Sequence, residues 1–297
     1  MCWFLILTAI FNIGTKYARD FLDPGFGARA LAMGSAFVAI ADDASGFYWN
    51  PAGHLGVRVA GLMHGVDYNN LIQYDYLSLI LGDDRSSIGL ALYNLRVGGI
   101  KFTTLPDTNT QVGPENRPEI TSTETALDYV LYLNRALNRN EISWGGNLKL
   151  IYRDLVVIKG YGIGCDLGLR LRKRNLMAGL ALKDLVLSPI YYSSGRWEYL
   201  SPYLSFGLGL NLPFYGPGRL TPTFQFDKFF DETLYSFQGR VGIEYEFRDL
   251  VALRTGFKGT LFSLGVGFHY RQFLLDYAFL PSHPLGSCHK ISGGVIF

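Results

Sequence analysis

The chain has 297 residues, of which 18% are charged, and its formal net charge is +2. That balance argues against a polyanion binder, which would carry a basic excess on one face, and a hydrophobic content of 48% argues against disorder. Beyond residue 13 no apolar run approaches the ~18–20 residues of a membrane helix, so a chain this apolar and this aromatic fits a transmembrane β-barrel, where hydrophobicity is spread over alternating positions.

Residues 2–13 form a short apolar run that suits the core of a signal peptide, with cleavage expected after Ala18. The alternative is an N-terminal apolar helix that stays on. This divides the chain into a signal peptide (1–18), a front segment (19–58) and a barrel (59–297). The front segment is rich in Gly and Ala and lacks long alternation. Small residues (Gly27, Ala28, Ala30, Ala32, Gly34, Ala36) interleave with Leu31, Met33, Phe37 and Val38, a composition that packs closely and bends easily.

From residue 59 the period changes to 2, the mark of strands with two unlike faces. Over 141–153, Ile142, Trp144, Leu148, Leu150 and Tyr152 oppose Glu141, Ser143, Asn147, Lys149 and Arg153. Over 160–172, Tyr161, Ile163, Cys165, Leu167, Leu169 and Leu171 oppose a face of glycines, Asp166, Arg170 and Arg172. Over 235–248, Tyr235, Phe237, Val241, Ile243, Tyr245 and Phe247 oppose Gln238, Arg240, Glu244 and Glu246. Aromatics stand near the strand ends of the apolar face, where interfacial girdles sit.

The alternation predicts about 14 strands: 59–68, 71–81, 86–99, 121–137, 141–154, 159–172, 175–184, 200–212, 218–228, 235–247, 249–258, 260–271, 272–280 and 288–297. The long connections, 100–120, 185–199 and 281–287, all fall on one side, and the other side has mostly tight turns. An up-and-down barrel with short periplasmic turns and longer outer loops has this asymmetry. A soluble sandwich would also alternate. Its outer face, however, would be richer in Lys, Glu and Thr than the Gly- and Ser-rich polar face seen here. The fold class is therefore all-β: a transmembrane antiparallel up-and-down barrel with the front segment in its lumen, in a bacterial outer membrane.

The three cysteines (Cys2, Cys165, Cys288) form neither a disulfide framework nor a metal motif, and the five histidines are scattered. No metal, cofactor or nucleic acid is expected. Gly160, Gly162 and Gly164 lie inside a strand with no helix after them, so they are no dinucleotide fingerprint. They are read as clearance for the front segment. No nucleophile–base spacing stands out, and the protein is read as a non-enzyme.

Residues 25–56 carry Gly27, Arg29, Met33, Gly34, Ala36, Ala41, Asp42, Asp43, Trp49, Asn50, Pro51, Ala52 and Gly53. This block resembles the N-terminal signature of the PorV/PorQ proteins, within the wider FadL-like outer-membrane family. A second block, Gly242–Tyr245, Leu253–Phe257, Leu275–Ala278 and His289–Ser292, resembles the same family. The terminal Phe297 resembles the signal read by the outer-membrane assembly machinery. The resemblance implies a 14-strand barrel with residues 19–58 folded into the lumen as a hatch.

Two functions follow from it. The first is passive binding and passage of hydrophobic or amphipathic small molecules, drawn from outer-membrane lipid. Its site would use Phe37, Phe47, Tyr48, Trp49 and Asn50 on the hatch, with Asp42 and Asp43 and the lumen cations Arg170, Arg172 and Arg240. Asp42 and Asp43 are expected to meet those cations. The plainer readings are a turn or helix cap for the two aspartates, packing for Trp49, and a fixed turn for Asn50-Pro51. The second function is a role in type IX secretion, with cargo or partner proteins bound at outer loops through Tyr191, Tyr192, Trp197 and Tyr199. The plainer reading of those aromatics is a lipid-facing belt.

Overall fold

The computed structural model describes residues 20–22, 24–53, 56, 58–68, 70–230, 237–281 and 286–297. The expected signal peptide and cleavage site lie outside the described residues. The first strands are β1 (Val59–Asp67), β2 (Ile72–Gly82), β3 (Ser86–Thr104) and β4 (Glu119–Arg139). β5 (Ile142–Asp154), β6 (Lys159–Lys173), β7 (Leu176–Lys183), β8 (Pro189–Tyr192) and β9 (Trp197–Tyr199) follow. Next come β10 (Tyr203–Leu210), β11 (Leu212–Phe214), β12 (Gly218–Phe229) and β13 (Phe237–Phe247). The last are β14 (Val251–Lys258), β15 (Leu261–Tyr270), β16 (Phe273–Leu280) and β17 (Cys288–Ile296).

All pair antiparallel in one sheet, and β1 pairs with β17 from Val59↔Ile296 to Val66↔His289, so the sheet closes on itself. Three short strands are continuations of longer ones. β7 pairs with β6 up to Leu182↔Leu167, the chain bulges over 184–188, and β8 rejoins β6 at Ile190↔Gly162. β9 pairs with β8 and leads into β10, and β11 carries that line on against β12. The wall is thus a closed antiparallel barrel of 14 strands.

Alternation sets the two faces. On β2, Leu77 is 60% exposed, and Leu79 and Leu81 also face out. Tyr74, Tyr76, Ser78 and Ile80 are buried on the other face. In lipid every backbone polar group must be satisfied internally, and closure achieves this without a free edge. Outward aromatics gather near the strand ends: Trp144, Phe247, Tyr270 and Phe273 at the end with tight turns, Tyr161, Tyr191, Trp197, Phe237 and Phe257 toward the other.

Two loops differ from the sequence reading. β3 and β4 run on beyond 99 and before 121, so the connection is 105–118 instead of 100–120. The expected loop 185–199 is mostly wall: β8 and β9 form a hairpin with its tip at 193–196. A bulge with positive φ at Asp184 (55°) and Leu187 (61°) interrupts the alternation, which hid the continuation from a period-2 reading.

Residues 20–22 and 24–53 lie inside the barrel. Gly61 on β1 lies against Ala44, Gly89 on β3 against Phe47, and Gly145 on β5 against Pro51. Gly179 on β7 and Gly207 on β10 meet Val38, Gly242 on β13 meets Met33, and Gly265 on β15 meets Ala32. One short segment can touch wall strands on every side only from within.

Candidate functional site

The luminal segment contains a 3-10 turn (Asp20–Leu22) and two short helices, α1 (Ala28–Ala32) and α2 (Gly46–Trp49). The rest is turn and irregular backbone. Buried backbone groups outside regular structure need partners, and polar side chains of the wall supply them. Gln225 Oε1 accepts from the amides of Phe37 and Val38, both at 3.0 Å. Arg170 Nη1 donates to the Ile40 carbonyl at 2.7 Å, and Asn147 Nδ2 donates to the Phe47 carbonyl at 2.8 Å. Ser263 donates to the Ala32 carbonyl at 2.9 Å. Asn50 Nδ2 ties the Val38 carbonyl (2.9 Å) to that of Leu169 on the wall (3.1 Å). The sparse polar residues of the inward face are therefore placed to receive this backbone.

Close approach fixes one contact. Gly34 has φ 62°, and a Cβ on it would stand 2.4 Å from the Phe257 amide nitrogen. A Cβ on the facing Gly256 would stand 2.2 Å from the Gly34 nitrogen. Only glycine fits on both sides.

Charges inside the barrel are paired in chains. Arg29 on α1 reaches Glu244 on β13 and Asp42 on its own segment. Glu244 in turn takes Arg254 at 2.6 Å, and Arg254 takes Asp276 at 2.6 Å. Lys149 bridges Asp166 (2.7 Å) and Asp184 of the bulge. Arg153 pairs with Asp128 and Arg240 with Asp227, each at 2.7 Å.

The expected meeting of Asp42 and Asp43 with Arg170, Arg172 or Arg240 does not form. Arg29 lies closer in the fold and takes Asp42. Asp43 instead accepts from the amide (2.8 Å) and hydroxyl of Ser45, a local turn. Arg240 is held by Asp227 and Gln238, and Arg170 by the Ile40 carbonyl.

Above the helices lies an aromatic cluster that sequence reasoning missed. The Phe26 ring sits 4.4 Å from Tyr48, 5.0 Å from Tyr76, 4.5 Å from Tyr93 and 6.2 Å from Tyr132, centroid to centroid. The Arg153 guanidinium covers the Phe21 ring at 4.3 Å, and Lys183 Nζ covers Tyr48 at 3.8 Å. Tyr93 donates its hydroxyl to the Phe21 carbonyl at 2.9 Å, and Tyr48 donates to that of Leu22 at 2.8 Å. Trp49 Nε1 donates to the Phe26 carbonyl at 2.8 Å. The chamber is filled by the chain's own Phe21, Leu22 and Phe26. The available signal was tyrosine on the polar parity of β2–β4, at Tyr74, Tyr76, Tyr93 and Tyr132.

The other named residues are placed as follows. Phe37, Phe47, Trp49 and Asn50 are buried in the packing of the luminal segment. Tyr192 points inward, fully buried, and its hydroxyl accepts from Arg153 Nη1 at 3.2 Å. Tyr191 and Trp197 stay outside, with rings 4.9 Å apart, and Tyr199 is half-buried. Gly160, Gly162 and Gly164 leave room for Tyr192, Ile190 and Ser188, not for the front segment as expected; Gly168 on the same strand does meet Asn50 and Pro51.

Small cavities adjoin the segment, one of about 70 Å³ beside Leu31, Gly34 and Ser35. Another, of about 40 Å³, lies between Arg29, Asp43, Met63, Tyr76 and Asp276, with room for a water or two. A larger one, of about 260 Å³, lies among wall and turn residues alone, opens at the end with tight turns and is lined by Arg170 and Arg172 among others. Among the described residues no group of three His, Cys, Asp or Glu side chains is placed to hold a metal ion.

A closed antiparallel barrel with an apolar exterior and a filled lumen is an integral outer-membrane protein. No protein-family model and no curated protein sequence matches the chain. Among solved structures it is similar to the Ralstonia pickettii toluene transporter TbuX (13% identity, TM-score 0.58, covering 92% of this chain and 97% of that one). It is similar to the P. putida toluene transporter TodX (11%, TM-score 0.55, 92% and 99%). It is also similar to a Pseudomonas aeruginosa FadL homologue (12%, TM-score 0.51, 95% and 98%). The fold is accordingly that of the FadL-like outer-membrane barrels; the finer likeness to PorV/PorQ has no counterpart in these comparisons.

Proposed function

We propose that the protein is a passive outer-membrane channel for small hydrophobic molecules, closed in this structure by its own luminal segment. The carrying observation is the aromatic chamber: wall tyrosines surround Phe26, and Arg153 covers Phe21. Such a chamber has the apolar lining with few convergent polar groups that small-molecule sites show. An entering apolar molecule would replace Phe21 and Phe26 against the same rings. Hydrogen bonds from Tyr93, Tyr48 and Trp49 to the carbonyls of Phe21, Leu22 and Phe26 hold the segment there, and the exchange has to break them. The reading includes no chemical step and no energy source. That similar structures are named as toluene transporters supports the choice of probe.

The test is saturable uptake of toluene by vesicles containing the purified barrel. Phe26→Ala leaves an apolar void of the kind that stays dry and takes up an aromatic ring, and should strengthen toluene binding several-fold. Uptake no faster than in protein-free vesicles, with no binding to the Phe26→Ala protein, would sink the reading.

A second reading, docking of cargo or partner proteins at the outer loops as in PorV/PorQ, has the exposed Tyr191–Trp197 pair in its favour. It ranks below the first because Tyr192, its other central aromatic, is committed to the lumen.

A further inference from the structure

Six buried luminal cations in this barrel sit against carboxylates, Lys183 lies over aromatic rings, and among the described residues Arg170 has neither. Arg29, Lys149, Arg153, Arg240, Arg254 and Lys290 each have a carboxylate oxygen within 2.8 Å. Arg170 is 7% exposed, yet among the described residues no carboxylate lies within ion-pair distance of it or of Arg172; Asp42 supports it only from farther off and is itself paired with Arg29. Its one hydrogen bond is from Nη1 to the Ile40 carbonyl, and its buried Nε has no partner. Guanidinium does not deprotonate in proteins, so it cannot escape burial by losing its charge. A buried charge so weakly compensated is costly unless a further anion meets it.

A cavity where an anion could sit lies beside Arg170. Arg170 and Arg172 line the ~260 Å³ cavity at the tight-turn end of the barrel, the periplasmic end by loop asymmetry. At ~30 Å³ per water this holds a small oxyanion with its hydration. Asn140 adds a neutral donor; Asn138 and Ser143 also line the cavity, Asn138 donating to the Asp84 carbonyl and Ser143 to that of Arg170. Asp84 and Glu141 also line it; Glu141 is engaged by Lys173 at 3.4 Å, and the pair of acids disfavours any polyanion.

We propose that this cavity is a binding site for a small oxyanion, a carboxylate or phosphate group, held by Arg170 and Arg172. The inference does not rest on what crosses the barrel. The anion is either free in the periplasm or the head of an amphipathic molecule. Because Arg170 also holds the Ile40 carbonyl, an occupant here touches the same side chain that braces the floor of the luminal segment.

The test is calorimetric titration of the full barrel in non-ionic detergent with inorganic phosphate, hexanoate and hexanol. Saturable binding of phosphate or hexanoate, without binding of hexanol, is expected. Arg172→Gln and Asn140→Asp, both in exposed positions, should each weaken it about tenfold while the barrel stays heat-modifiable on gels; Arg170→Gln should abolish it. Binding of both anions assigns a free-anion site, and binding of hexanoate alone assigns an amphipath head. No binding of either, or binding unchanged in all three variants, overturns the proposal.

Discussion

Arg29 of the luminal segment forks onto Glu244 of the barrel wall, Nε and Nη2 each 2.8 Å from a carboxylate oxygen. Glu244 also takes Arg254, so one carboxylate joins the plug to two wall strands. Removing the Glu244 charge leaves Arg29 with Asp42 alone and Arg254 with Asp276 alone, so the loss falls at or below the ~3–5 kcal/mol of a buried pair broken outright. Glu244→Gln is therefore expected to lower the unfolding free energy of the barrel in urea by a few kcal/mol, roughly 2–3. Asp249→Asn, at a rim carboxylate 81% exposed, should change the unfolding free energy by no more than ~0.5 kcal/mol. Equal shifts in the two variants would refute the role given to Glu244.

The Gly34–Gly256 contact predicts a leak. Any Cβ at 256 meets luminal backbone inside 3 Å, and overpacking of this kind costs about 1–3 kcal/mol. Gly256→Val should unseat the segment and raise single-channel conductance in planar bilayers well above that of the unmodified barrel. Unchanged conductance together with unchanged stability would show that the wall yields there.

On the lipid side, Leu77 faces out near the middle of β2. Arginine at the bilayer midplane of a barrel costs about 2–4 kcal/mol. Leu77→Arg should lose that much in reversible folding into vesicles, and a loss below ~1 kcal/mol would place Leu77 near an interface instead.

The outer loop 105–118 carries a pH-dependent clasp. Asp107 accepts from the Asn109 amide and the Thr110 hydroxyl, and these bonds hold its carboxyl below the ordinary carboxylate range. With the folded value below the unfolded ~3.9, the stabilisation is fully present above about pH 4 and is lost as pH falls through the folded value. Amide exchange across 105–118, corrected for intrinsic rate, should accelerate on acidification. Asp107→Asn should remove that dependence; persistence in the variant would assign it elsewhere.

Much of this architecture was legible because lipid enforces period 2 along most of each strand. Ile142 to Tyr152 and Phe237 to Phe247 show their outward face in the sequence, and the strand number follows. Where the wall departs from strict alternation, legibility fails: the bulge at 184–188 concealed that β7 and β8 are one line. The aromatic chamber was hidden for a different reason. Tyr76, Tyr93 and Tyr132 occupy inward positions expected to be polar, and their ring partner Phe26 belongs to a segment whose period says nothing about direction. Pairings such as Arg29–Glu244, 215 residues apart in sequence, have no local signature at all.

The luminal segment has a consequence for assembly. Ser292 on β17 receives the amide of Ala28, and Gly61 on β1 lies against Ala44, so the seam between first and last strands closes directly over the segment. The plug and the seam therefore share contacts, and seating the segment favours the curvature at which β17 meets β1. A variant that slows collapse of the segment should then slow closure of the barrel, read as a delayed gain of heat-modifiability on gels.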